Sequence, residues 1–188
     1  MSIQVLVLYY SRHGSTLNLA RHIARGIESV VGCEAILRTV PDWEQSEPSD
    51  YPYATLQELE SADALAFGSP CWFGNMPGAM KHFWDSTTTL WVKGALIDKP
   101  ACVFTSSSSL HGGQESTLQS MHLPLLHHGM ILVGIPYSEP LLHKTQTGGS
   151  PYGASHLADN SSKLSSDEQD LAKKLGQRLA SIAKKLKA

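Results

Sequence analysis

The sequence predicts a doubly wound α/β domain: five parallel strands in the order 2-1-3-4-5, with helices on both faces. Strand-sized apolar runs alternate with helix-sized periodic segments almost without interruption, the pattern of a parallel sheet covered on both sides. The chain also opens with a strand, a short hydroxyl-and-glycine turn and an amphipathic helix. Ligands of such sheets sit at the carboxyl ends of the strands, beside the point where strand order reverses. The loops after strands one, three and four should therefore carry a site, and the loop after strand two should not.

Each element has its own warrant. Ile3 to Tyr10 is the first strand, and Ala20, Ile23, Ala24, Ile27, Val30 and Val31 recur at helical spacing after it. Gly32 is placed to stop that helix, and Cys33 to Val40 forms the second strand. Pro41 to Asp50 is a polar loop too rich in proline for regular structure. A short helix near Leu56 to Glu60 leads to a third strand, Ala62 to Gly68. A helix from Gly78 to Thr87 precedes the fourth strand, Pro100 to Thr105. Glu115 to His128 reads as a helix and Met130 to Ile135 as the fifth strand. The segment from Pro136 to Lys163, rich in Gly, Ser and Pro, is long enough to expect function or disorder there. Ser165-Ser166-Asp167-Glu168 is a capping box, and Leu171, Leu175, Leu179, Ile182 and Leu186 form one seam of a terminal helix.

Composition narrows the function. At 188 residues the chain fits one domain, 1–188, with a core that needs no staples. Fifteen basic residues against 17 acidic ones give a net charge of −2, so no broad field favours nucleic acid or an anionic membrane. Apolar runs fall far short of the roughly 20 residues that cross a bilayer, and no signal peptide is visible. Cys33, Cys71 and Cys102 are few and widely spaced, against a disulfide framework or zinc site and compatible with a reducing cytosol. The expected location is cytoplasmic, with no bound metal.

The turn Ser11-Arg12-His13-Gly14-Ser15-Thr16 is a phosphate-binding design: backbone N–H groups and the positive end of the helix dipole converge there, and Ser11, Ser15 and Thr16 add hydroxyls. GxxxxGK[ST] and GxGxxG are both absent, which argues against phosphoryl transfer and against a dinucleotide fingerprint. After strand three, Cys71-Trp72-Phe73-Gly74-Asn75 offers a tight backbone and a flat aromatic surface. After strand four, Ser106-Ser107-Ser108-Ser109-Leu110-His111 is small and polar and opens onto a helix. A phosphate cup, an aromatic wall and a polar clamp suit a flat heteroaromatic ring with a phosphate tail, and flavin mononucleotide (FMN) is such a ligand. No Gly-x-Ser-x-Gly elbow supports serine hydrolase chemistry.

With these residues in view, the chain resembles the WrbA type of FMN-dependent NAD(P)H:quinone oxidoreductases, a flavodoxin-like family. The resemblance runs from the first strand to the terminal helix. It rests on Tyr9-Tyr10-Ser11 with Gly14, Phe73-Gly74-Asn75-Met76, Leu90-Trp91-Val92-Lys93-Gly94-Ala95-Leu96, Gly112-Gly113-Gln114-Glu115, His127-His128-Gly129-Met130 and Pro151-Tyr152-Gly153-Ala154. It implies that Ser11 to Thr16 hold the FMN phosphate, that Cys71, Trp72 and Phe73 lie along the ribityl chain and ring edge, and that Ser106 to His111 clamp the ring. It places His127 near the flavin and Trp91 on the substrate side, and it makes His13 the counterpart of a tyrosine near the nicotinamide. The family usually has arginine where Trp72 stands, and its glycine-rich clamp is here a serine run, one residue longer.

The implied activity is two-electron reduction of quinones by NADH or NADPH. Donor and quinone use one flavin face in turn, which predicts ping-pong kinetics in a homotetramer. The flavin carries the chemistry, so no acid–base residue is obligatory; His127 is placed to orient or donate to a quinone oxygen. Two other readings are a flavodoxin-type electron carrier, which a net charge of −2 disfavours, and an FMN-binding adaptor using residues Pro136 to Lys163.

Overall fold

The fold was analysed in a computed structural model that describes residues 2–42, 49, 51–159 and 161–187. Most of the polar loop expected after strand two, residues 43–48 and 50, lies outside the described residues. The strands are β1 (Ile3–Tyr9), β2 (Cys33–Thr39), β3 (Ala64–Pro70), β4 (Pro100–Ser107), β5 (Ile131–Leu132) and β6 (Ala154–Leu157). The helices are α1 (Ser15–Glu28), α2 (Leu56–Ser61), α3 (Gly78–Asp85), α4 (Thr88–Lys93), α5 (Gln114–His127) and α6 (Ser166–Lys187). The sheet is parallel in the order β2-β1-β3-β4-β5, as expected, and β6 is a further strand paired with β4.

Alternation along β1 builds both layers. Val5, Val7 and Tyr9 face a core closed by α1 and α6, while Leu6, Leu8 and Tyr10 face one closed by α3 and α5. The α1–α6 contact is a close backbone crossing. A Cβ on Gly26 would lie 2.0 Å from the Lys173 carbonyl oxygen, and one on Gly176 would lie 2.1 Å from that of Ile23. Any side chain at either glycine forces the helices apart.

Several boundaries depart from the expectation for local reasons. α1 ends at Glu28, before Gly32, which instead turns the chain into β2 at φ +82°. β3 starts at Ala64 because Ala62 closes α2 and Asp63 donates its N–H to Gln4. The helix expected over Gly78–Thr87 ends at Asp85, where Ser86 and Thr87 turn their hydroxyls onto the carbonyls of Phe83 and Trp84. A separate helix, α4, follows. The fifth strand shrinks to Ile131–Leu132 because a returning segment crosses at Gly134, where a Cβ would meet the Pro151 oxygen at 2.1 Å. From there Ile135 donates to Pro151, and β6 occupies the upper part of the same edge, opposite Phe104 to Ser107. The long segment after strand five thus contains a 3₁₀ turn (Pro140–His143) and a strand.

Candidate functional site

Three loops meet at the carboxyl edge around a cavity of about 290 Å³. It is lined by Ser11, Arg12, His13, Ser15 and Thr16 after β1, Pro70, Cys71 and Trp72 at the end of β3, Ser106 and Ser107 at the end of β4 with Ser108 just beyond, and Ala158 after β6. That volume lies at the low end of the roughly 300–1,000 Å³ usual for small-molecule pockets, enough for the phosphate end of a nucleotide but not its whole length.

Local chemistry explains the shape. Gly14, at φ +86°, caps α1 without a side-chain bond, so the first-turn N–H groups are left for a ligand. Thr16 and Ser106 join their hydroxyls at 2.9 Å and tie the first loop to the third. The Ser11 hydroxyl is buried and has no hydrogen-bond partner among the described residues. An orphaned hydroxyl beside a helix N-terminus costs free energy unless an anion completes it, and a phosphate supplies that acceptor. The residues present therefore fit FMN at its phosphate end.

The second loop is a tight turn. Trp72 and Asn75 exchange both backbone hydrogen bonds (2.8 and 3.1 Å), with Phe73 at φ +54° and Gly74 at φ +77° between them. Trp72 turns toward the cup, edge-on to Tyr10 at 5.8 Å, with the Arg12 guanidinium 4.8 Å from its ring centroid. Phe73 is fully exposed and does not line the cup, so the aromatic wall expected from both residues is Trp72 alone. Cys71 donates its thiol hydrogen to Gly112 and Gly113, fastening this loop to the clamp. In the clamp, Ser107 donates to the Ser109 carbonyl at 2.7 Å and accepts from buried Gln114 at 2.9 Å. Gly14, Gly74 and Asn75, and also Ser109, Leu110 and His111, do not line the cup.

The loop after strand two contributes indirectly, where no contribution was expected. Asp42 pairs with Arg12 at 3.0 Å and accepts from the Tyr10 hydroxyl. Burial, reinforced by Asp42, raises the Tyr10 pKa to about 12, so this phenol stays a donor. Asp42 carries no motif in the sequence; only its approach in space reveals it.

His127 and Trp91 are not at the cup. They line a second, larger cavity of about 790 Å³ between α3, α4 and α5, together with Asn75, Trp84, Thr87, Leu123 and His128. Trp91 Nε1 donates to the His127 carbonyl at 2.9 Å, fixing the indole across the two helices. Deeper in, Thr87 donates to Trp84 and so must accept from His128 Nε2–H at 2.8 Å. Burial, with His127 adding to it, pushes the His128 pKa down, consistent with a neutral ring.

A family model described as NADPH-dependent FMN reductase matches residues 1–138. A protein named NAD(P)H dehydrogenase (quinone) from Geotalea daltonii is 45% identical, covering 98% of both chains. One of the same name from Geobacter sulfurreducens is 44% identical over 98% of this chain and 99% of its own. Among solved structures, a flavodoxin, WrbA-like protein from Agrobacterium tumefaciens superposes with TM-score 0.73 at 27% identity, covering 98% and 99% of the two chains. A flavodoxin from the domain Archaea, 22% identical with TM-score 0.68, covers 97% and 99% and shares the fold.

Proposed function

This chain belongs to the NADPH-dependent FMN reductase family, and on that footing we propose that it is an FMN-dependent NAD(P)H:quinone oxidoreductase that reduces quinones to hydroquinones. The observation that carries the reading is the buried, partnerless Ser11 hydroxyl at the head of α1, where the three loops converge. Bound there, FMN supplies two-electron hydride chemistry that no side chain offers.

The chain's own residues bind and orient. Ser11, Ser15 and Thr16, with the backbone from Arg12 to Gly14, hold the phosphate. Cys71 and Trp72 border the ribityl chain, and Gly74 and Asn75 keep their turn in place for the ring edge, with Phe73 at its tip. Ser106, Ser107 and Ser108 form the inner clamp, and Ser109, Leu110 and His111 its outer rim. His13 stands at the mouth on the nicotinamide side. NADH or NADPH and then the quinone occupy one face in turn, which gives ping-pong kinetics.

Trp91 and His127 serve this reaction from a neighbouring protomer in a homotetramer. Supporting that arrangement, Trp91, Leu123 and Phe73 are exposed apolar residues, and the first two border the larger cavity. Such an assembly places one copy's His127, which then orients or donates to a quinone oxygen, near another copy's cup. The protein is placed in the cytoplasm, where a reducing environment suits the free thiols of Cys33, Cys71 and Cys102. No helix among the described residues is long and apolar enough to cross a membrane.

The test is anaerobic. Protein reconstituted with FMN is mixed with NADH or NADPH and then with benzoquinone while flavin absorbance is followed. Bleaching by the nicotinamide and catalytic recovery with quinone is the expected result. FMN uptake without bleaching would leave an electron carrier or adaptor, and no uptake would remove the cofactor site.

A further inference from the structure

Behind the cup lies a buried histidine–carboxylate pair that the reaction does not use. Glu168, 1% exposed, has all its acceptor positions filled. Oε1 accepts from the N–H groups of Gly148 (2.9 Å) and Leu157 (2.8 Å), while Oε2 accepts from Ser165 N–H (2.8 Å) and His156 Nδ1 (2.9 Å). His156 is equally buried, and its Nε2 lies 3.2 Å from the Ser161 carbonyl oxygen. The two ring nitrogens thus face oxygens on opposite sides, the Glu168 carboxylate and the Ser161 carbonyl. A half-satisfied pair at this depth would be costly, so the geometry on both sides is held closely.

The contacts of this pair lead to the cup. β6 sets His156 directly opposite Ser106 of β4, and Ala158, just beyond, donates to Ser107 at 2.8 Å while lining the cavity. Past Ser161, the Ser162 carbonyl accepts from the Asn18 amide at 2.8 Å. The Ser162 side chain lies 3.9 Å from where a Cβ of Gly14 would stand. One face of the imidazole is therefore anchored in α6, and the other holds the backbone that backs the phosphate loop at Gly14 and Asn18.

We propose that His156 is a positioning residue for the cofactor phosphate: through Nε2 and Ser161 it holds the 161–162 backbone against the first turn of α1, and so sets how tightly the cup grips FMN. This inference rests on the FMN reading above. It separates the two nitrogens of one ring. Nδ1 serves the fold through Glu168, and Nε2 serves the ligand.

Two substitutions divide those duties. His156→Asn keeps an N–H near the Nδ1 position for Glu168 but cannot reach Ser161. His156→Gln reaches toward Ser161 and leaves Glu168 one donor short. FMN dissociation constants from flavin fluorescence quenching should rise about tenfold in H156N, the worth of roughly one hydrogen bond, with a smaller loss of Tm than in H156Q. H156Q should melt earlier yet hold FMN within about twofold of wild type. Asn18→Ala cuts the same connection from its α1 end and should weaken FMN similarly. Combined with H156N it should add little further loss, because the two act through one connection. Backbone amide exchange at Ser161 and Ser162 in the FMN-loaded protein should quicken in H156N and not in H156Q. H156N that binds FMN as tightly as wild type, or two histidine variants that lose affinity and Tm in parallel, would overturn the proposal. Wild-type protein that takes up no FMN would overturn the cavity reading and this inference with it.

Discussion

The cup at the sheet edge and the cavity between α3, α4 and α5 have no lining residue in common among those described, although the 72–75 turn serves both: Trp72 borders one and Asn75 the other. The cup is made of strand ends, backbone N–H groups and hydroxyls, and it is backed by two side-chain pairs, Arg12–Asp42 and His156–Glu168. The larger cavity is lined mainly from α3, α4 and α5, where Trp84, Trp91 and Leu123 stand among polar side chains such as Lys81, Asp85 and Ser120, with a buried histidine whose pKa is lowered. The contrast suggests a division of labour. The first arrangement suits an anion held by fixed backbone donors, and the second offers a wide space bordered by two indole rings.

Acid should separate the two regions most strongly. Burial alone would raise the Glu168 pKa, but the bonds from His156, Leu157, Ser165 and Gly148 outweigh it and bring the group from 4.5 down to about 2. A depressed carboxyl pKa stabilises the fold fully above its unfolded value and is lost as pH falls through the folded one. About 3 kcal/mol should therefore disappear between roughly pH 4.5 and 2. Burial lowers the pKa of His128, and of His22 and His122 as well. Their unfolded forms take up protons first, so stability should already decline as pH drops below the ordinary histidine value of 6.5. Urea unfolding across pH should show both arms. Glu168→Gln should remove the lower arm and converge with wild type near pH 2.

Ser11→Ala comes next. Removing a hydroxyl that meets a phosphate should cost about 1.5–3 kcal/mol, raising the FMN dissociation constant about ten- to a hundredfold. The variant should melt no earlier in the absence of FMN, since the hydroxyl has no partner there. Thr87→Val probes the other region. It strands the buried His128 N–H and should cost about 1–3 kcal/mol, several degrees of Tm, with FMN affinity intact. Trp91→Ala should have the smallest effect, raising quinone KM about three- to tenfold while leaving the FMN dissociation constant within about twofold. If Trp91→Ala instead weakens FMN as Ser11→Ala does, the two regions form one site and the division fails.

The same contrast governs what could be read in advance. Ser11 to Thr16, Cys71 and Ser106 to Ser108 lie next to strand ends in the chain, so the topology rule places them at once. Asp42, Gln114, His156 and Glu168 act across folded distances, and nothing in their neighbours in sequence announces it. Glu168 is instructive. The capping box is legible, and Ser165 and Glu168 do exchange hydrogen bonds, yet the same carboxylate also receives Gly148, Leu157 and His156. β6 escaped because a four-residue strand set in a segment rich in Gly, Ser and Pro looks like loop until β4 offers it an open edge.

Alternating apolar periods determined the strands and the helices layered on them, because period is a local property that the chain carries everywhere, and the strand order followed from the doubly wound alternation as a whole. The turn after β1 likewise determined a cup of backbone N–H groups at the head of α1, since those groups point where the strand-to-helix geometry sends them. Only the tertiary structure decided that Phe73 leaves the cup, that Trp91 and His127 share a separate cavity, and that the fifth position of the sheet is divided between two segments. Those outcomes depend on which side chain meets which across the fold, a matter of packing and close approach that no local pattern encodes.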